Sequence, residues 1–143
     1  MERYCKDFPS KLSGIDFNTL EESKDSVYGL SKELNLIYFN PGWIFFAEEN
    51  GAEERILKEF PLGTPFIKAI DGKKIREFYV QIYKSVLNLG KPWHQEYECS
   101  SEDELRFYRQ SVYPLKDGEG LIVINRLTVK LPGQTSNKKQ VCL

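Results

Sequence analysis

Leu121-Ile122-Val123-Ile124 restricts the fold of this chain more than any other segment. Side chains of a strand alternate between its two faces. Here both faces are apolar, and a strand of that kind needs cover on each side. The strand is expected over Leu121 to Val129, inside a sheet with material packed above and below it. Helices supply one cover. The other comes either from residues 1–23 of the same chain or from a second copy.

The helical layer is legible upstream. Ile75 to Leu89 carries apolar residues at Ile75, Phe78, Tyr79, Ile82, Tyr83, Val86 and Leu87, a single stripe at helical spacing. Gly90 ends that helix and Pro92 prevents its return. Before it, Asp16 or Asn18 caps a short helix reaching Ser23. Ser26 to Ser31 and Leu34 to Phe39 read as a hairpin joined by Lys32-Glu33. Asn40-Pro41-Gly42 stops the second strand, and Trp43 to Ala47 opens a short helix. Residues 48–59 are charged and helix-prone, and Pro61, Gly63 and Pro65 keep any long regular element from forming after them.

Three more strands complete the set. Trp93 to Ser100 places Trp93, Tyr97 and Cys99 on one face and His94, Glu96 and Glu98 on the other. Leu105 to Leu115 comes after a polar turn, and Asp117-Gly118-Glu119-Gly120 turns the chain into the last strand. Strands and helices grouped in this order predict an α+β fold: a five-stranded antiparallel sheet with short helices and one long helix packed on one face. The expected organisation is an arm over 1–17, a domain over 18–129 and a flexible polar tail over 130–143.

With 143 residues, the chain suits one core. Twenty basic against 21 acidic residues leave a net charge of −1, and the only basic run is Lys138-Lys139. Neither feature points to nucleic acid. The apolar stretch from Leu36 to Ala47 is broken by Asn40-Pro41-Gly42, and a membrane span needs about 20 apolar residues. The start, Met1-Glu2-Arg3-Tyr4, has no apolar run of the signal-peptide kind. Cys5, Cys99 and Cys142 are odd in number and widely spaced, against a disulfide framework or a zinc site. A reducing, cytoplasmic setting is therefore expected.

Several segments together resemble a PAS domain. "LEESKDSVYGLSKELNLIYFNP" is similar to the opening of that family, ending on Asn40, whose side chain can cap the next helix. "IREFYVQIYKSVLNLGKPW" resembles its long helix and the turn beyond. "YECSSEDELRFYRQSVYPLKDGEGLIVINRLT" resembles its closing hairpins. The resemblance covers about residues 18–129 and implies a sensor that holds a small ligand between sheet and helices or pairs with a protein partner.

Departures from the family pattern narrow the cofactors. The region matching the flavin-bearing Asn-Cys-Arg motif, Gly51 to Phe60, has no Cys, and Ile124 stands where those sensors carry Gln. Helix Ile75 to Leu89 has no His for haem. Light-sensing flavin chemistry and helix-His haem are thus not expected, and the ligand is an unidentified small organic molecule. Arg126-Leu127-Thr128 replaces the usual Asp-Ile-Thr ending. Only fifteen residues follow Thr128, so output is expected through homodimerisation or a separate signalling protein.

The expected lining of a mainly apolar pocket is Tyr28, Tyr38, Trp43, Phe46, Phe66, Phe78, Tyr79, Ile82, Tyr97, Phe107 and Ile124. Plain core packing is the alternative for each. Arg106 and Arg109 alternate in the fourth strand, so one of them points inward. Arg109 shares parity with Leu105 and Phe107 and is expected to anchor an acidic group of the ligand, against a surface ion pair. His94 beside Glu96 and Glu98 admits an acid/base enzyme, but their face reads as the solvated one. Cys99 reads as a small buried hydrophobe rather than a reactive thiol. No catalytic and no metal-binding residue is assigned. A ligand-free adaptor with a filled core is the remaining reading.

Overall fold

The computed structural model describes residues 2–49, 60–70, 72–100 and 103–132. Helix α1 (Phe17–Glu22) starts at Asp16, whose carboxylate accepts the Thr19 backbone N–H at 3.1 Å. Strands β1 (Ser26–Ser31) and β2 (Leu36–Phe39) form a hairpin. Leu34, expected to open the second strand, instead takes a left-handed conformation in the turn (φ 64°). Its carbonyl accepts from Phe66 N, which fixes the turn against the following loop.

Helix α2 (Pro41–Glu49) comes next, then a short 3₁₀ turn (Phe66–Ala69) and the long helix α3 (Lys73–Leu89). Gly90 closes α3 in the left-handed conformation, its N–H bonded to the Val86 carbonyl at 2.9 Å. The chain ends in β3 (Trp93–Glu98), β4 (Glu104–Pro114) and β5 (Gly120–Pro132), so the last strand runs past residue 129. The charged segment expected to be helical lies, beyond Glu49, outside the described residues. So do Lys138-Lys139, Cys142 and the rest of the tail after Pro132.

The five strands form one antiparallel sheet in the order β2-β1-β5-β4-β3. β5 is central, which answers why its first residues are apolar on both faces. On its inner face Leu121 and Val123 join Tyr28, Leu30, Phe39, Phe66, Tyr79, Tyr83, Val86 and Val112 under the helices. On its outer face Ile122 joins Phe8, Leu20, Val27, Ile37, Tyr38 and Leu115.

The outer cover comes from the chain's own first residues. Cys5, Leu12, Ile15 and Phe17 pack there around fully buried Phe8. The arm also runs beside β2: Cys5 N bonds Ile37 O at 3.1 Å, and Phe39 N bonds Arg3 O at 2.9 Å. Arg3 donates from both terminal nitrogens to the Glu21 carboxylate, which also accepts the Tyr38 hydroxyl at 2.8 Å. Cys5 is free, whereas buried Cys99 is disulfide-bonded. Odd count and wide spacing argue for thiols throughout, but neither reports which cysteine comes near another in space.

Candidate functional site

One row of side chains crosses the inner face of the sheet at right angles to the strands. Gln95 of β3 pairs with Gln110 of β4, Gln110 with Asn125 of β5, and Asn125 with Ser26 of β1. Neighbouring strands stand about 4.8 Å apart, so these four residues form a continuous polar line. Gln110, Asn125 and Ser26 are 0%, 2% and 6% exposed.

Hydrogen bonds run along the line. Gln95 Nε2 donates to Gln110 Oε1 at 3.3 Å, Gln110 Nε2 to Asn125 Oδ1 at 3.1 Å, and Asn125 Nδ2 to the Ser26 carbonyl at a long 3.5 Å. Tyr97 donates to Asn125 Oδ1 at 3.0 Å, and Gln95 Nε2 reaches the Tyr79 hydroxyl on α3 at 2.9 Å. The Ser26 hydroxyl is buried with no hydrogen-bond partner among the described residues. A buried polar group in that state costs about 1–3 kcal/mol, so it asks for an explanation.

Aromatic rings flank the row. Tyr97 stacks on Tyr108 (centroids 5.6 Å, planes 18° apart), and Phe46 of α2 meets Tyr108 edge-on at 5.9 Å. Farther in, the Tyr28 and Tyr83 hydroxyls bond each other at 2.9 Å, and Phe66 stacks on Tyr28 at 5.7 Å. Burial drives the hydroxyl pKa values of Tyr28, Tyr83 and Tyr97 upward, so all three are neutral at physiological pH.

Asn40 ties the helical side to the sheet. Its Oδ1 accepts from Val27 N and Trp43 N, both at 2.9 Å, and its Nδ2 donates to the Leu20 and Asp25 carbonyls, both at 2.9 Å. One buried side chain thereby caps α2, holds the start of β1 and fixes the end of α1. Gly42 is required beside it, because a Cβ there would stand 2.2 Å from the Asp25 carbonyl oxygen.

The residues expected to line a pocket divide between the two faces. Tyr28, Trp43, Phe66, Tyr79 and Ile82 belong to the core under the helices, and Phe46 and Tyr97 sit beside the polar row. Phe78 is 47% exposed and meets the edge of Trp93. Tyr38 and Ile124 belong to the outer core beneath the N-terminal arm.

Phe107 and Arg109 are also corrected to the outer face. Arg109 is exposed, opposite Glu96 and Arg126. The inward residues of β4 are Arg106, Tyr108, Gln110 and Val112. The inward arginine is thus Arg106, whose Nε donates to the Cys99 carbonyl at 3.0 Å. His94 is exposed on the outer face, bonded through Nδ1 to the Ser111 hydroxyl at 2.8 Å, with the sheet between it and the polar row.

Sequence reasoning did not select Ser26, Gln95, Gln110 or Asn125. A signal was present: Gln110 has Tyr108 and Val112 two residues to either side, on the same face of a strand. Among the described residues, no group of three or more His, Cys, Asp or Glu side chains is placed to hold a metal ion. None of the described helices is long and apolar enough to cross a membrane.

No known family profile matches this chain, and no curated protein does. Solved structures do. A domain of an HTR-like protein from Haloarcula marismortui ATCC 43049 is 17% identical with a TM-score of 0.51, covering 75% of this chain and all 100% of its own. The PAS domain of a protein from Colwellia psychrerythraea is 16% identical with a TM-score of 0.53, covering 78% of this chain and 92% of its own. At such identities the likeness concerns architecture, and with the sheet order and helical layer above it leads to one conclusion: this chain has a PAS-like fold.

Proposed function

We propose that this chain is a signal-sensing module, not an enzyme, that holds a small organic molecule on the helix-covered face of its sheet. The signal passes to a second copy or to a separate protein. One observation carries the reading: the polar line Gln95–Gln110–Asn125–Ser26, buried from Gln110 to Ser26, with a hydroxyl at its end that no described residue satisfies. Carboxamides gathered under apolar and aromatic side chains are the usual make-up of a site that orients a small ligand. His94 and its glutamates stand on the other face, away from that line, which favours binding over acid/base chemistry.

Native mass spectrometry of the purified chain, with an absorption spectrum beside it, tests this. The expected result is an adduct that disappears on denaturation and is lost in Asn125→Leu while the fold is kept. A bare mass for the natural chain, even after incubation with cell extract metabolites, favours the adaptor with a filled core.

A further inference from the structure

We infer that Cys99 is joined to Cys142 by a reversible disulfide that ties the segment after Pro132 to the end of β3, and that small-molecule thiols open and close this bond. The chain thereby takes a second input, the thiol–disulfide balance of its surroundings, independently of any molecule on the sheet.

Elimination names the partner. Cys99 is disulfide-bonded, Cys5 is free, and Cys142 is the third cysteine of the chain. Topology excludes Cys5 as well. Its N–H bonds the Ile37 carbonyl of β2, one edge of the sheet, whereas Cys99 follows β3, the other edge. Four strand spacings, about 19 Å, separate those edges, and the two Cα atoms of a disulfide stand less than about 7 Å apart. The faces differ too: Cys5 packs against the outer core, while Cys99 continues the inward parity of Gln95 and Tyr97.

Cys142 is within range of Cys99. The Cys99 N–H bonds the Arg106 carbonyl at 3.0 Å, and Arg106 pairs with Lys130 of β5. Residues 99, 106 and 130 therefore stand abreast on three neighbouring strands. β5 ends two residues later at Pro132, about 12 Å from Cys99 at ordinary strand spacings. The ten peptide units from Pro132 to Cys142 span up to roughly 33 Å, so the bond forms without disturbing the sheet. Residues 133–141 read Gly-Gln-Thr-Ser-Asn-Lys-Lys-Gln-Val, with one apolar side chain among them. Such a stretch gains too little from burial to hold a docked position by itself, and the disulfide supplies the attachment that its side chains do not. In a reducing setting a bond of this kind is transient and reports redox state rather than bracing the fold permanently.

The exchange balances in two steps. Cys99 is 0% exposed, so the incoming thiolate attacks the Cys142 sulfur. A mixed disulfide forms there, the bond to Cys99 breaks, and Cys99 leaves as a thiolate that takes up a proton. The Arg106 Nε–H, bonded to the Cys99 carbonyl at 3.0 Å, keeps a positive charge beside the departing thiolate. A second small-molecule thiolate then attacks the small-molecule sulfur of the mixed disulfide and releases Cys142. Two small thiols are oxidised to one small disulfide, the protein disulfide is reduced to two thiols, and the reverse sequence closes it again.

Non-reducing tryptic mapping of the full chain tests this, on protein equilibrated with oxidised or reduced glutathione and trapped by alkylation as it is unfolded. In oxidised glutathione the peptide holding Cys99 is expected to carry the peptide that begins at Gln140, with Cys5 alkylated. Reduced glutathione should separate the two while circular dichroism shows the fold intact. Cys142→Ser is expected to abolish the link and, in oxidised glutathione, to lower the thermal midpoint by about 5–10 °C, whereas variant and natural chain should melt together in reduced glutathione. Cys99 linked to Cys5, or to a cysteine of a second copy, overturns the inference. So does Cys99 alkylated after oxidised glutathione, and so does a link that reduced glutathione breaks only once the chain is unfolded.

Discussion

Phe8 lies flat on Tyr38, ring centroids 4.4 Å apart and planes 11° apart, in a space left open by the missing side chain of Gly29. A Cβ at position 29 would stand 2.9 Å from Phe8 Cε1 and 3.2 Å from Tyr38 Cβ. The arm is thus fitted to the sheet. Phe8→Ala is expected to lower stability by about 3 kcal/mol, the cost of emptying a buried aromatic site. Gly29→Val should give a loss of similar sign by displacing the same ring. Urea denaturation of both variants checks this, and an unchanged midpoint in Phe8→Ala would mean that the arm adds nothing to the core.

Asn40 makes a sharper case, because its two ends are not interchangeable. Its oxygen faces two N–H groups and its nitrogen faces two carbonyls. Asn40→Ala removes four hydrogen bonds, two of them buried, and is expected to cost about 3 kcal/mol. Asn40→Asp should be worse at neutral pH despite its nearer shape, since a carboxylate then confronts the Leu20 and Asp25 carbonyls. Thermal unfolding of the two variants side by side gives the order.

The Tyr28–Tyr83 pair predicts both a coupling and an alkaline limit. Tyr28→Phe strands the Tyr83 hydroxyl and should cost about 1–2 kcal/mol, while the double Phe variant should lose less than the sum of the singles. Burial raises both folded pKa values above the ordinary 10.0. The neutral hydroxyl is the form favoured by folding, so this stability is complete below pH 10 and falls as pH rises beyond it. Tyrosinate absorbance and unfolding should therefore appear together in an alkaline titration, and the double variant should unfold at higher pH.

Glu21 titrates with the opposite sign. Hydrogen bonding from Arg3, aided by that from Tyr38, lowers its carboxyl pKa below the ordinary 4.5. Its contribution is present above pH 4.5 and is lost as pH falls through the depressed folded value. Glu21→Gln should be less stable than the natural chain at pH 7, and the two should converge in acid. Parallel stability curves from pH 7 to 3 would instead assign the acid sensitivity to other groups.

Arg109 and Asn125 test the proposed difference between the two faces. Arg109→Ala is expected to leave adduct retention unchanged and stability within about 0.5 kcal/mol, as for an ordinary surface change. Asn125→Leu should empty the site. Native mass spectra of the two variants, with circular dichroism to verify folding, provide the comparison.

Periodicity served well where one face alone was buried. The stripe of α3 and the alternation of β3 both appear as the sequence suggests, although the helix begins two residues early and leaves Phe78 exposed. β4 defeated the same reasoning. Both of its faces touch core, so Leu105 and Phe107 attract the inward assignment while Arg106 and Gln110 take the buried positions. Polarity is a poor guide when a buried amide finds its partner on the next strand, as Gln110 does in Asn125. That partnership joins residues fifteen apart, and the one between Asn125 and Ser26 joins residues 99 apart. Neither pairing can be read along the chain before the strand order is known.

The row draws one residue from each of four strands, at positions 26, 95, 110 and 125. A molecule bonded along it, as proposed, would act as a crossbar between the first strand and the last three. Opening any one of those strands then requires letting go of the molecule. Occupancy would consequently be felt as slower amide exchange and a longer native lifetime across the whole sheet, rather than as a local tightening. A mechanical clamp of that kind would give the proposed sensor its readout even where no side chain at the surface moves.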